Sequence, residues 1–471
     1  MKKTKIVATL GPSCDNKDIL REMVKNGLDV FRINMSHATQ DEVDFRVNCA
    51  RELSKELGTY IGVLFDTKGP EIRSGVFENG SITLKKGDIV SLTSENVTGN
   101  EKLIPIQYPT LYEDVPVGYN VLLNNGLMKL TVIDKRNGKL ECEVDVDGTL
   151  KSKRMVNLPG VTYSMPYVSK ADRADVITAI KSDADFIALS FVSCKEDVLA
   201  IREILEEHNN KHIQLICKIE NQRGVDNIDE ILEVSDGVMI ARGDLGVELP
   251  IERLPIVQKE LIIKCQARGK ICITATEMLA SMEKSLRPTR AEVSDVSNAV
   301  FDGTDAIMLS GETSVGDYPI ETISIMSKIA QATEERIYLD DLFGKGEYFG
   351  KKNVTQTIAY AVLEVSDLLK AKAIVASTLT GYTARKISRY RPSAPILATT
   401  PSEYTARSLV LNYGVFPVVT KMIDNVGDAI KTSVEVSKEK FNLQKEDKII
   451  IVGGLPLGEA TKTNFMKIEE I

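Results

Sequence analysis

QLICKIE (214–220) and GVMIARGD (237–244) are the stretches on which the reading of this chain turns. Each is a short apolar run closed by charge. Lys218 and Glu220 end the first, and Asp244 ends the second, 24 positions beyond Glu220. Runs of this length, rich in Ile, Leu and Val, suit parallel strands buried on both faces. Charge is costly inside such a strand and belongs where the strand leaves the core, at its C-terminal end. An ammonium and two carboxylates converging there would suit a divalent metal with a phosphorylated or enolic substrate. A Lys–Glu pair that caps two strand ends fits the same local sequence, so the wider chain has to choose.

Six further apolar runs end in polar or Gly-containing segments: KIVATLG (5–11), VFRINMS (30–36), IGVLFDT (61–67), FIALSF (186–191), ICITATE (271–277) and AIMLSGE (306–312). Helical patterns such as DILREMVKNG (18–27) and KEDVLAIREILEEH (195–208) lie between most of them. Strand–helix alternation repeated eight times predicts an α/β fold of the (β/α)8 TIM-barrel type, with chemistry at the strands' C-terminal ends. A doubly wound sheet is the alternative, and the count of eight favours the barrel.

Strand ends at Asn34, Asp66, Ser190, Glu220, Asp244, Thr276 and Ser310 are 24 to 34 residues apart, except for one gap of 124. That gap predicts an inserted small β domain over 70–165, with barrel portions at 1–69 and 166–345. ENG, KKGD, NNG, RNG and DG turns separate alternating runs such as LECEVDV (140–146), and the insertion is placed to act as a lid. GKGEYFGKKN (344–353) reads as a linker. Helical sequence at 355–370 then leads to AIVAST, PILATT, VFPVVT and KIIIVGG, a separate C-terminal α/β domain over 346–471.

Composition narrows the function. A chain of 471 residues is too long for one core. A net charge of −8 argues against a nucleic-acid partner. No apolar run approaches the roughly 18 residues a membrane span needs. MKKTKIVATLGP reads as a first strand, not a signal peptide. Seven scattered cysteines without C-x-x-C suggest reduced thiols in a cytoplasm. His208 and His212 sit in a polar stretch and read as surface residues. H-E-x-x-H, Walker A and G-x-G-x-x-G patterns are all missing.

The expected barrel top collects Arg32, Asn34, Ser36, Asp66, Thr67, Arg73, Lys218, Glu220, Asp244, Thr276, Ser310 and Glu312, a polar pocket with a metal site and several anion donors. Far along the chain, STLTGYT (377–383) joins a strand to the helix ARKISRY. Hydroxyls and backbone N–H groups at such a junction can hold a phosphate; an ordinary strand–helix turn is the alternative.

At this point the chain resembles the pyruvate kinase family. TKIVATLGP (4–12), RINMSH (32–37), DTKGPEIRSG (66–75), NLPG (157–160), CKIEN (217–221), ARGDLGVE (241–248) and RPTRAEVSDVSNAVFDGTDAIMLSGETSVGDYP (287–319) match it in order, over essentially the whole chain. The resemblance implies transfer of a phosphoryl group from phosphoenolpyruvate to ADP, giving ATP and pyruvate through a metal-stabilised enolate. Glu220 and Asp244 would hold magnesium or manganese. Lys218 would face the moving phosphoryl group and the developing enolate. Arg32 and Arg73 would contact phosphates.

Asn34, Ser36, Asp66 and the Thr67 backbone oxygen would hold potassium, and Glu71 stands where the family's potassium-dependent members have Glu. Thr276 would lie over the enolate face and relay a proton through water, helped by Ser310 or Glu312. Asn34, His37 and Arg154 would lie near the nucleotide. Gly243 and Asp244, before a helix, would present N–H groups to the substrate carboxylate. Ser377, Thr378, Thr380, Gly381 and Thr383, with the loop GGLPLGEATKTN (453–464), would bind an allosteric effector, a sugar phosphate or AMP. A cytoplasmic homotetramer is implied, with no nucleic acid and no membrane.

Departures from the family pattern are Glu277 in place of a common Gln, Ser193-Cys194 in place of a basic residue, and Arg154 in place of a usual Lys. Two other readings compete. A different metal–enolate barrel, such as a phosphoenolpyruvate mutase or a pyruvate-dependent aldolase, would lack the insertion and the last domain. A catalytically dead sugar-phosphate sensor would be expected to have lost Lys218 or a metal carboxylate.

Overall fold

The computed structural model describes residues 1–336, 353–459 and 461–471. Eight parallel strands close into a barrel: Lys5–Thr9, Val30–Asn34, Gly62–Asp66, Phe186–Leu189, Gln214–Ile219, Gly237–Ala241, Ile271–Ala275 and Ala306–Leu309. The first pairs with the eighth, Lys5 against Ala306, which leaves no sheet edge. Asp244 differs from its expected place at a strand end. The sixth strand stops at Ala241, and Asp244 lies in the first turn of the short helix Arg242–Glu248.

Strand alternation sorts the side chains. In the fifth strand Leu215, Cys217 and Ile219 pack outward with the surrounding helices, while Ile216 joins the barrel interior with Val7, Val30, Leu64, Phe186 and Met239. Two residues beyond Ile216 comes Lys218, and two beyond that Glu220. The same count takes Val7 to Thr9, Val30 to Arg32, Leu64 to Asp66 and Ala188 to Ser190. The interior is therefore apolar in its lower layers and charged at its C-terminal mouth. A period of two produces both properties from one pattern.

An inserted β domain follows the third strand. Its six-stranded sheet runs Val156–Asn157, Asn120–Leu123, Met128–Arg136, Lys139–Val146, Ile89–Thr93 and Leu103–Pro105. Ser81–Leu84 and Gly148–Lys151 pair beside it. The RNG turn carries positive φ at Asn137 and Gly138, which joins adjacent strands through a two-residue connection. Gly69 marks where the chain leaves the barrel. A Cβ there would lie 2.7 Å from the Ser190 carbonyl, so the crossing requires glycine.

The last domain is a five-stranded sheet ordered Val415–Val419, Ile396–Thr400, Ala373–Ser377, Lys448–Gly453 and Phe465–Glu470. Phe465–Glu470 is antiparallel and was not foreseen from sequence. The expected linker at 344–353 lies outside the described residues except for Asn353. This domain docks on the barrel's N-terminal mouth. Val410 and Leu411 enter the interior cluster, and a Cβ on Gly62 would meet Val410 Cγ2 at 2.6 Å. Around them Arg391 Nη1 lies 2.8 Å from Asp305 Oδ1, and Arg407 pairs with Asp183 and Asp185 at 2.7 and 2.6 Å. Among the described residues, no helix is long and apolar enough to cross a membrane.

Candidate active site

Lys218 is the centre of the barrel mouth. Its ammonium is 2.6 Å from Ser190 Oγ, 3.2 Å from Asp66 Oδ1 and 3.0 Å from Glu220 Oε1. Burial works against its charge, but Asp66 and Glu220 more than compensate and hold its pKa well above the usual lysine value. Asp66 is shared: its other oxygen accepts from Arg32 Nε at 2.7 Å, and Arg32 also reaches Thr9 Oγ1 at 2.6 Å. Burial would raise the Asp66 carboxyl, yet Arg32 and Lys218 together hold it below its ordinary value.

Glu220 is treated differently. Its Oε2 accepts from the Phe191 N–H at 2.6 Å, whereas Oε1 lies 3.0 Å from the Lys218 ammonium without hydrogen-bond geometry. Burial, with repulsion from Asp244, pushes the Glu220 carboxyl up. Asp244 is raised as well, again chiefly by burial. Two carboxylates that disfavour joint ionisation, Glu220 buried and Asp244 half-buried, form a donor set suited to a hard divalent cation. Among the described residues no group of three or more His, Cys, Asp or Glu is arranged to hold a metal. Magnesium would fit two carboxylates, because it completes its octahedron with water and substrate oxygens.

The seventh strand ends in a strained turn, with φ of 69° at Thr276 and 53° at Glu277. Thr276 Oγ1 donates to the Ala275 carbonyl and accepts from the Gly243 N–H at 2.8 Å. That N–H, expected to face a substrate carboxylate, is thus engaged within the protein. Arg242 fastens the turn through the Thr276 carbonyl at 2.7 Å and pairs with Asp295 at 2.7 Å. Glu277 is exposed. Ser310 donates its backbone N–H to Glu312, whose other oxygen accepts from the Leu279 N–H at 3.1 Å. Glu312 therefore ties the seventh and eighth strand ends together through both oxygens.

Asn34 and Asp66 are register partners on neighbouring strands, so the expected potassium donors start from adjacent backbone. Asn34 Oδ1 accepts from the Ser36 N–H, and the Thr67 carbonyl accepts from Ser190 Oγ at 2.7 Å. Ser36 and His37 are exposed beyond the second strand. Glu71 grips Arg73, with Nη2–Oε1 at 2.6 Å and Nε–Oε2 at 2.9 Å. Arg154 is exposed beside Arg73 on the returning segment, where the Ser74 N–H donates to its carbonyl.

In the last domain Ser377, Thr378, Thr380 and Thr383 line one pocket together with Thr420, Lys421, Gly454 and Thr461. Gly381 starts the helix with φ of 80°, and Thr383 Oγ1 is 2.9 Å from Thr463 Oγ1. Sequence reasoning missed Ser190 and Arg242 as participants. Ser190 was visible as the end of FIALSF, but nothing in that run marks it as a partner of Lys218.

A closed parallel barrel whose mouth holds a lysine between buried carboxylates, under an inserted β domain, has the layout of a barrel enzyme with its chemistry at the strands' C-terminal ends. The comparisons narrow this. The family profile "Pyruvate kinase, barrel domain" matches residues 1–323, and "Pyruvate kinase, alpha/beta domain" matches 356–469. The chain is 46% identical to a pyruvate kinase of Staphylococcus haemolyticus over 470 residues, covering 99% of this chain and 80% of that one. It is 42% identical to a pyruvate kinase of Clostridium acetobutylicum, covering all of both. A solved pyruvate kinase from Cryptosporidium parvum superposes with a TM-score of 0.94 at 38% identity, covering 100% of this chain and 96% of that one. The chain belongs to the pyruvate kinase family, phosphotransferases of glycolysis acting on phosphoenolpyruvate and ADP.

Proposed function

We propose that the barrel mouth transfers the phosphoryl group of phosphoenolpyruvate to ADP and that Lys218 stabilises the charge that moves. The carrying observation is the placement of its ammonium, within 3.2 Å of Asp66 and 3.0 Å of Glu220 and held charged by both. A fixed cation in a water-poor site stabilises charge that develops in the transition state more than charge already solvated in the ground state. Glu220 and Asp244 would hold magnesium or manganese, which when bound draws negative charge from the substrate's carboxylate and enol oxygens. Arg32 is anchored by Thr9 and Asp66, so its guanidinium is oriented toward the mouth. Arg73 and Arg154 stand together at the base of the insertion and, with Asn34 and His37, would take the nucleotide.

The final proton reaches the enolate carbon from water. Thr276 orders that water; its own hydroxyl proton is committed to the Ala275 carbonyl. Ser310 and Glu312 support the relay by holding the seventh and eighth strand ends together. Asn34, Ser36, Asp66 and the Thr67 carbonyl would hold potassium beside the substrate. The insertion, taken as 70–165, closes over the site. The C-terminal domain, taken as 346–471, binds a sugar phosphate or AMP through Ser377, Thr378, Thr380, Gly381 and Thr383, and four cytoplasmic copies assemble.

The test is pyruvate formation from phosphoenolpyruvate and ADP, with magnesium and potassium varied and candidate effectors added. Activity should require both metals. Full activity in buffer free of sodium and potassium would remove the potassium site, and no pyruvate under any condition would overturn the reading.

A further inference from the structure

The helix Arg242–Glu248 carries Asp244 in its first turn and meets the inserted domain with its last two residues. A Cβ on Gly126, in the insertion's Asn124–Gly126 turn, would lie 3.1 Å from Val247 Cγ1. Next to it, Asn157 Nδ2 donates to Glu248 Oε1 at 3.3 Å. Asn157 belongs to the insertion's last strand, is 4% exposed, and its Oδ1 has no hydrogen-bond partner. Both residues line a small cavity between the insertion and the barrel mouth.

Glu248 is poorly placed for a carboxylate. It sits at a helix C-terminus, where the helix dipole disfavours negative charge. Asp244 lies one turn back on the same face. Tyr163 faces it from the returning segment, and Glu71 lines the same cavity from the loop after the third strand. Across the wider cleft lie Asp197, Asp226 and Arg223, and the charge of Arg223 acts on Asp197. Among the described residues no cation is seen to offset Glu248. Burial first, and Asp244 after it, push its carboxyl up to about 7.

We propose that Glu248 is a positioning residue for phosphoryl transfer, forming with Asn157 the latch that sets the insertion's angle over the Asp244 end of the barrel mouth. The proposal rests on the reading of the mouth given above. Ionised, Glu248 can only accept, so it leaves the buried Asn157 Oδ1 unsatisfied. Protonated, it can accept from Nδ2 and donate its O–H to Oδ1, a paired acid–amide contact with both groups satisfied. The second bond is present while Glu248 keeps its proton and is lost as pH rises through about 7. Because the nucleotide is expected against Arg73 and Arg154, on the hinge side, and phosphoenolpyruvate against Lys218 on the barrel, the latch should act on ADP.

The full-length enzyme with Glu248→Ala, Asn157→Ala, both together, and Glu248→Gln tests this. Each alanine variant should raise KM for ADP about tenfold and leave KM for phosphoenolpyruvate within about twofold. The double variant should be no worse than either single one, as coupled residues require. Glutamine can donate and accept at any pH. Glu248→Gln should therefore stay near the wild-type KM at pH 6 and lack the rise that wild type shows, relative to it, toward pH 8. An unchanged KM for ADP, losses that multiply in the double variant, or a Glu248→Gln curve that tracks wild type would overturn the proposal. Hydrogen exchange of the 157–165 amides reads the latch without catalysis, faster in Glu248→Ala and wild-type-like in Glu248→Gln. A wild type inactive on both substrates would sink the functional reading, and the exchange rates would still decide the latch.

Discussion

Replacing Lys218 by Met removes the ammonium that Asp66 and Glu220 share, and the two carboxylates do not suffer equally. Asp66 keeps Arg32 at 2.7 Å and remains paired. Glu220 keeps the Phe191 N–H and the repulsion of Asp244. Deleting one partner of a buried pair costs about 3–5 kcal/mol when the stranded charge has no escape. Glu220 has one, because it can take up a proton. In the wild type, burial pushes its carboxyl from 4.5 to about 7. Between those values the folded state holds a proton that the unfolded chain has released, so stability falls as pH rises, by about 1.4 kcal/mol per unit. Above about 7 this decline stops in the wild type. In the variant Glu220 stays protonated to higher pH, so its decline continues. The stability gap should be nearly constant below pH 7 and widen by up to about 1.4 kcal/mol per unit above it. Urea unfolding of metal-free protein at pH 6, 7, 8 and 9 measures the gap. Turnover, from pyruvate release, should fall roughly 10³-fold or more, the scale on which a single positioned cation acts in phosphoryl transfer. A folded variant with near-normal turnover would refute the catalytic role, and a gap independent of pH would refute the electrostatic account.

Asp244→Asn should weaken Mn²⁺ binding at least about tenfold, read by electron paramagnetic resonance. Since Asp244 and Glu220 are both raised by burial, wild-type metal affinity should strengthen with increasing pH as metal displaces a proton. Arg391→Ala strands Asp305 beneath the barrel and should cost about 3–5 kcal/mol, seen as an early calorimetric transition; a melting profile like wild type would refute the docking argument. Thr378→Val should reduce calorimetrically measured binding of AMP or a sugar phosphate several-fold, and unchanged binding of whichever ligand the wild type takes would place the effector elsewhere.

Much of this molecule was legible in one dimension. Eight apolar runs, ending in polar or Gly-containing segments and mostly separated by helical patterns, implied a barrel through their alternation and their count. The gap between Asp66 and Ser190 located the insertion, and RNG and NNG marked its turns. Glu220 and Asp244 could be singled out as candidates because, with Lys218, they close two successive runs with charge. Other features left little trace. The strand Phe465–Glu470 alternates weakly and is held by pairing with Lys448–Gly453 at the sheet edge. Glu312 read as a relay group, yet both its oxygens are taken by backbone amides contributed by two different strand ends.

Local sequence determined the period of each element and the kind of side chain each exposes, since alternation and helix caps depend on residues a few positions apart. It therefore settled that Lys218 and Glu220 point the same way and that charge gathers at one end of the strands. Which charges meet was decided only in three dimensions. Lys218 finds Asp66, 152 positions earlier, and Ser190, 28 earlier, because barrel closure sets the register between strands. The proton affinities of Glu220 and Asp244 follow from the same closure, since desolvation and repulsion exist only once the barrel has excluded water and brought both carboxylates to one mouth. Val410 sealing the opposite mouth, and Asn157 reaching Glu248, belong to the same class: contacts between distant segments, fixed by packing rather than by pattern.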